Sequence, residues 1–314
     1  MSLTNYTFIV NPEAGRGSSL QFLAAIESEL RTLGESYKVL LTEFPRHATQ
    51  LAAAEKNNGT VVVAIGGDGT AHEVASGLDE GSSFFSALPA GSGNDFARML
   101  GYGGSPAESF RLLKSGVDTF CDVGHYQIES LNGGRHDGVF INSLGIGLDA
   151  SISYASRSIK NLKGVPLYLV ATIRTLRTFQ ALPLRVRMAG REWEKSFFLV
   201  CVGNGHQEGG GFSMTPNARP SDGKFEVCLI EDMPLYNSLR LIPRVLRGSH
   251  EAFKGVQLIE TQEISVGSKI PFCVHCDGEI PATDAVQITV DLKPGALRVR
   301  AARNSYFTDT LPKK

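Results

Sequence analysis

The chain has 314 residues, 42% hydrophobic and 20% charged, a folded globular composition that excludes a largely disordered protein. Lys and Arg total 31 against 32 Asp and Glu, and a net charge of −1 speaks against a nucleic-acid binder, which carries a basic excess. No apolar run approaches the roughly 18 residues of a spanning helix, and Met1 to Val10 shows no charged segment leading into an apolar one. The expectation is a cytoplasmic chain without a signal peptide or transmembrane segment.

The length suggests about two domains. In residues 1–116 short β-rich runs alternate with helical ones. Thr7–Val10 reads as a strand, Leu20–Leu33 as a helix with Leu23, Ile26 and Leu30 on one face, and Tyr37–Leu41 as a second strand. His47–Lys56 is alanine-rich and helical, Thr60–Ile65 is a buried-type strand, and Phe84–Leu88 follows after another helix. This rhythm predicts a parallel sheet covered by helices.

From Val117 the texture changes. β-like runs at Val117–Val123, Gly138–Asn142, Leu184–Met188, Phe197–Val202, Phe225–Ile230, Gln257–Val266, Phe272–His275 and Val286–Val290 predict a mostly antiparallel domain. Turn signals such as Asn132-Gly133-Gly134 and Asp222-Gly223 separate many of them. Ser156–Phe179 and Leu235–Phe253 are helical inserts. The expected fold is α/β, an N-terminal parallel-sheet domain (1–116) and a C-terminal β-rich sandwich (117–296), with 297–314 able to return to the first.

Five cysteines at scattered spacing favour thiols in a reducing compartment. Cys273-Val274-His275-Cys276 looks like a metal motif, but it sits in a strand-like run. Residues three apart on a strand face opposite ways, and no second cysteine pair completes a tetrahedral site. Strand cysteines are the preferred reading.

Three strand ends carry glycine loops followed by helical runs: Asn11–Ser18, Gly66–Thr70 and Pro89–Asp95. Each holds a capping-box pattern, Ser18 with Gln21, Thr70 with Glu73 and Ser92 with Asp95. Ligands of parallel sheets bind beyond the carboxyl ends of strands, glycine lets backbone approach an anion, and helix N-termini offer N–H donors. The pattern predicts a nucleotide-phosphate site built from backbone. Neither a Walker loop nor a dinucleotide fingerprint follows the first strand, and Gly145-Ile146-Gly147 reads as a turn or packing loop. Asp68, between glycines, is a candidate for a metal- or phosphate-proximal carboxylate, with a buried structural role as the alternative.

Taken together, Gly66-Gly67-Asp68-Gly69-Thr70, Pro89-Ala90-Gly91-Ser92-Gly93-Asn94-Asp95-Phe96-Ala97-Arg98 and Asp277-Gly278-Glu279 resemble the diacylglycerol kinase catalytic domain family, relatives of the sphingosine and ceramide kinases. Asn11-Pro12, Thr42 with His47-Ala48, Gly203-Asn204-Gly205, Gly209-Gly210-Gly211 and Asp222-Gly223 fit the same series, in order along nearly the whole chain. The resemblance implies an ATP-dependent lipid kinase with diacylglycerol as the default substrate, ATP on the α/β domain and lipid on the β domain across a cleft. It implies nucleotide contacts from Asn11, Pro12, Gly15, Thr42, Gly66, Gly67, Asp68, Gly69, Thr70, His72, Ser92, Asn94 and Asp95, with Ser92 where the family usually has Thr. Glu279 is implied as the catalytic base, with Asp277 close by and Asp68 in the catalytic set. A structural Mg²⁺ is implied on the Asp222 carboxylate and the carbonyls of Arg219 and Lys224, against the plain reading of a hairpin turn.

The same resemblance implies a role in phospholipid biosynthesis at the inner face of the membrane, and it allows a homodimer. Arg157, Lys160, Lys163, Arg174 and Arg177 in the first insert, and Arg240, Arg244 and Arg247 in the second, alternate with apolar residues. Such helices either lie on anionic membrane or pack on the β domain. The competing functions are a kinase for phosphatidylglycerol or a sphingoid base, a soluble NAD or sugar kinase sharing the Gly-Gly-Asp-Gly-Thr loop, and a non-catalytic nucleotide- or lipid-binding regulator.

Overall fold

The computed structural model describes residues 5–33, 36–156, 158–159, 162 and 164–308. Contacts divide the chain into two units, Met1–Val123 with Pro294–Lys314, and Gly124–Lys293.

The first unit opens with β1 (Tyr6–Val10), α1 (Ser18–Leu33), β2 (Tyr37–Leu41), α2 (His47–Glu55) and β3 (Val61–Gly66). It continues with α3 (Asp68–Leu78), β4 (Phe84–Pro89), α4 (Asp95–Met99) and α5 (Pro106–Lys114). The sheet runs β2-β1-β3-β4, all parallel, in register Val10↔Leu41, Val10↔Ile65 and Ile65↔Leu88. β1 and β3 are buried at every residue, which is why they read as unbroken apolar runs. α3 lies close on α2 because Gly77 has no side chain: a Cβ there would meet Thr49 O at 2.5 Å and Ala52 Cβ at 2.7 Å.

α5 starts on a true cap, Ser105 Oγ accepting the Glu108 N–H at 3.2 Å with Pro106 next to it. The expected capping boxes at Thr70–Glu73 and Ser92–Asp95 do not form. α3 is capped by Gly67 and α4 by Asn94, neither with a side-chain bond, and Thr70 lies inside its helix. Glu73 turns back instead, accepting the Arg46 and Ala48 N–H groups at 3.1 Å each, and so caps α2 from outside. The Ser18 hydroxyl is directed to Ala90 O at 3.3 Å.

The second unit is antiparallel. It holds the later part of β5 (Val117–Ser130), β6 (Arg135–Phe140), β7 (Ser143–Gly147), α6 (Leu148–Ser156), α7 (Gly164–Leu176), β8 (Leu182–Met188) and β9 (Arg191–Gly203). β10 (Phe225–Glu231), α8 (Leu235–Leu246), β11 (Val256–Thr261), β12 (Glu263–Cys276) and most of β13 (Glu279–Ala301) complete it. Strands run β11-β10-β9-β7-β12-β13, with β8 pairing β9 and β12. The second half of β9, from Phe197 on, and β10 are buried on both faces. Val200, Val202, Val227 and Leu229 enter one apolar core, while Leu199, Cys201, Cys228 and Ile230 enter a second with α7 and α8 residues.

Three readings are corrected here. Gly145-Ile146-Gly147 is not a turn but the end of β7, running directly into α6. The run Gln257–Val266 is two strands, β11 and β12, broken at Gln262. In the first insert, Ser156–Phe179, the described helix is α7 (Gly164–Leu176) alone, because Ser156 is the last residue of α6, and the insert's Arg157, Lys160 and Lys163 lie outside the described residues.

The end of β13 belongs to the first unit. Val299 pairs in parallel with Phe85 of β4, and the Arg300 carbonyl accepts the Ser86 and Tyr102 hydroxyls at 3.0 and 2.8 Å.

Candidate active site

The glycine loops of the first unit sit at the carboxyl ends of β1, β3 and β4, and they touch through backbone. A Cβ on Gly91 would stand 2.2 Å from Gly67 Cα, and one on Gly15 would stand 2.3 Å from Ala90 O. No L side chain fits either contact, so these glycines are there for close approach. Gly15 also has φ +60, inside the short 3-10 turn Ala14–Arg16.

Side chains lock the loops to one another. Asn11 Nδ2 donates to Thr70 Oγ1 at 3.3 Å, and Asn11 Oδ1 accepts the Glu13 N–H at 3.0 Å. Asn94, in the left-handed region at φ 60, closes its own loop by accepting from Gly91 N at 2.8 Å and donating to Gly91 O at 3.0 Å. Asp68, first in α3, reaches over and accepts the N–H groups of Asn94 at 2.7 Å and Phe96 at 3.3 Å. Asp95 is buried and holds the Arg98 guanidinium, which also donates to Gly93 O. Burial first, then the Asp95 charge, pushes the Asp68 carboxyl up to about 7, against the backbone donors that pull it down.

Gly66, Gly67, Gly69 and Thr70 form the β3–α3 junction with Asp68, and His72 is half-buried one turn along α3. Pro12 and Thr42 are half-buried at the ends of β1 and β2, Thr42 N donating to Val10 O at 2.9 Å. Ser92 is exposed. The structure thus gathers the sequence-predicted nucleotide residues at one end of one sheet, but it uses the side chains of Asn11, Asn94 and Asp68 to shape the loops.

In the second unit, Asp277 and Gly278 are the turn between β12 and β13, with Cys276 paired to Glu279. Their φ values of 50 and 85 define the two-residue turn that Asp-Gly favours. The Asp277 carboxylate is buried and accepts backbone N–H groups of Ile141, Asn142 and Ser143, each at 2.9 Å. It therefore positions the turn rather than presenting a carboxylate to a substrate. Glu279, the first residue of β13, is exposed. Asn204 ties Gly203-Asn204-Gly205 to the same linker, donating to Ile141 O at 2.7 Å.

The candidate cation corner is an exposed turn. Asp222 Oδ1 accepts the Lys224 N–H at 3.3 Å, Lys224 Nζ meets Glu260 Oε2 at 2.6 Å, and Arg219 is exposed three residues before Asp222. Gly223 has φ 79, and its carbonyl accepts from Gln262 Nε2 at 2.8 Å. The Asp222 carboxylate is an oxygen donor of the kind a hard cation takes.

Comparison with known proteins matches this division. Residues 5–126 fit the "Diacylglycerol kinase catalytic domain" model and residues 142–301 fit the "YegS C-terminal NAD kinase beta sandwich-like domain" model. The second match spans half of the chain, which therefore belongs to the family of the YegS C-terminal NAD kinase beta sandwich-like domain, joined to a diacylglycerol kinase catalytic domain; it is a lipid kinase, a phosphotransferase. "Putative lipid kinase YtlR" of Bacillus subtilis (strain 168) is 28% identical, over 95% of this chain and 100% of its own. A "Diacylglycerol kinase" of Staphylococcus saprophyticus subsp. saprophyticus is 26% identical, over 86% of this chain and 87% of its own. A crystal structure of a diacylglycerol kinase from Bacillus anthracis str. Sterne shares the fold with a TM-score of 0.70 at 22% identity, covering 96% and 98% of the two chains.

Proposed function

We propose that the chain transfers the γ-phosphoryl group of ATP to a lipid hydroxyl, with diacylglycerol the first substrate and phosphatidic acid the product. The observation that carries ATP binding is the backbone-on-backbone packing of the Gly15, Gly67 and Gly91 loops at the ends of parallel strands. Backbone N–H groups at such strand-to-helix junctions suit phosphate oxygens. The name of the Staphylococcus saprophyticus relative supports diacylglycerol.

Phosphoryl transfer needs charge neutralisation, alignment and a destination for the hydroxyl proton. Asp95 lies close enough for its charge to raise the hold of Asp68 on a proton, and the two carboxylates suit a catalytic Mg²⁺ nearby. That ion, when bound, supplies positive charge for the phosphate oxygens. Glu279 accepts the proton of the attacking hydroxyl, and its exposed place at the start of β13 leaves it open to a substrate. Asp277 holds the turn that presents it. Asp222, with the carbonyls of Arg219 and Lys224, is the proposed structural Mg²⁺ corner.

Among the described residues no helix is long and apolar enough to cross a membrane. The exposed face of α8 is suited to meeting a lipid surface instead. Leu235, Tyr236 and Leu239 are 48%, 68% and 44% exposed, with Arg240, Arg244 and Arg247 beside them. Its other side, through Leu241 and Val245, packs in the apolar core. An apolar face flanked by arginines fits anionic headgroups.

A radiolabelled-ATP screen over mixed micelles of hydroxylated lipids, with Glu279→Gln as the blank, tests the reading. Label in phosphatidic acid above the blank is expected. Label only in a soluble acceptor, or none in any lipid, would overturn it.

A further inference from the structure

The glycine loops account for the phosphate end of a nucleotide, and the flat base at its other end needs a surface of its own. The parallel sheet has β2 as its edge, and the chain leaves that strand through Thr42 into the segment Glu43–Arg46, which leads to α2. β2 runs parallel to β1, so this segment leaves the sheet at the same end as the glycine loops. Phe44 stands there 50% exposed, an apolar ring that no core claims.

The ring is held in place before any ligand arrives. His47 stacks on one face of it, with centroids 4.3 Å apart and planes 8° from parallel, and the other face lies open. His47 Nδ1 accepts the Glu43 N–H at 3.1 Å, which fixes the imidazole plane, and His47 N donates to Phe44 O at 3.2 Å. Pro45 follows and restricts the Phe44 backbone to extended conformations. Arg46 stands at φ 67, a left-handed conformation that a residue with a side chain disfavours, and Glu73 holds it there by accepting the Arg46 and Ala48 N–H groups. Glu73 lies one turn along α3 from Thr70, so a single side chain ties the ring's segment to the helix that opens on the Gly66–Thr70 loop. On the other flank Thr42 N donates to the carbonyl of Val10, the residue before Asn11. An exposed ring stacked on one side and fastened on both flanks is preorganised for a flat partner.

We propose that Phe44 is the base-stacking residue of the nucleotide site: its open face takes the purine ring, while the Gly66–Thr70 and Pro89–Asp95 loops take the phosphates. The inference rests on the ATP-binding reading above. Position names the occupant. The ring shares a sheet end with the phosphate loops and is joined to them through Val10 and through Glu73. Phe44 and His47 already form a near-parallel pair, and a base on the open face makes a third layer. Such stacking does not depend on the hydrogen-bonding edge of the base. Phe44 therefore supplies affinity for a purine nucleotide over its bare phosphate chain, and other groups choose between adenine and guanine.

The test is calorimetric titration of the full-length protein with ATP and, separately, with inorganic tripolyphosphate, which has the charge but no base. Phe44→Ala should weaken ATP at least about tenfold and change tripolyphosphate by no more than about twofold. Phe120→Ala, which removes a ring 53% exposed on β5, should leave both titrations as in the wild type. Phe44→Trp should keep ATP affinity, and its indole emission should be quenched by ATP but not by tripolyphosphate. The single tryptophan of the wild type, Trp193, lies in the second unit and supplies the baseline. Should Phe44→Ala fail to fold, the Phe44→Trp quenching decides. ATP bound equally by wild type and folded Phe44→Ala, an equal loss of tripolyphosphate, or no quenching specific to ATP would each overturn the stacking role and leave the kinase reading standing. A wild type that binds neither probe would overturn the ATP-binding reading, and the stacking role with it.

Discussion

Asp68 and Asp277 are both aspartates next to glycine, both accept backbone N–H groups, and both fasten one loop to another. Their surroundings give them opposite uses. Asp68 opens a helix and has Asp95 close by, so its carboxyl is held up at about 7, where the proposed mechanism puts a cation beside it. Asp277 faces the Ile141, Asn142 and Ser143 N–H groups, so its charge is answered by peptide dipoles and serves to hold a turn. The same two letters, Asp-Gly, thus mark a charge site in one unit and a structural clasp in the other.

The largest expected effect falls beside the clasp, on Glu279. Glu279→Gln should lower kcat by at least about a hundredfold, the low end for loss of a general base, with Tm unchanged because the residue is exposed. Asp68→Ala should lower kcat by a similar factor through loss of cation attraction. Steady-state assays on micelles check both, and near-normal turnover in folded Glu279→Gln protein would break the assignment. Asp277→Ala should separate the roles: it leaves buried N–H groups without acceptors at about 1–3 kcal/mol each, so urea melts should show a clear loss of stability. Were it to lose activity with stability intact, the clasp reading would be wrong.

Gly91→Ala probes the loops without touching an acid. Its Cβ would collide with Gly67 Cα, and the overpacking should destabilise by about 1–3 kcal/mol and raise KM for ATP more than it lowers kcat. Smallest is a pH effect. Asp68 binds its proton more tightly folded, with a pKa of about 7, than unfolded. Its stabilising contribution is therefore complete below the unfolded carboxylate range and is lost as pH rises towards and through 7. Thermal melts of nucleotide-free protein between pH 4 and 8 should fall less steeply for Asp68→Asn than for the wild type; parallel curves would show that Asp68 is ionised throughout.

The fold class was readable because periodicity survives burial. β1 and β3 are apolar at nearly every position since both faces are covered, and α1 keeps Leu23, Ile26 and Leu30 on its inner side. Capping was misread because Glu73 and Ser18 bond to chain segments 25 and 72 residues away, beyond any local pattern. The glycine loops were visible as punctuation, yet which glycines touch, Gly67 with Gly91, is a tertiary fact. In the second unit the side chains of Asp149, Glu208 and His275 bond one another, and this cluster left no signal in spacing. Its members stand 59 and 67 positions apart, and β12 hid His275 between Val274 and Cys276, whose side chains enter the apolar core.

The pairing of Val299 with Phe85 bears on how the protein is made. β4 gains its second neighbour only from residues more than 200 positions downstream. Until they emerge from the ribosome, β4 carries an open edge beside a completed β3, the kind of surface that recruits foreign strands. A fragment ending at Val123 would keep that edge for good. Expressed alone, it should be less soluble than the same fragment supplied with residues 294–308 through a linker.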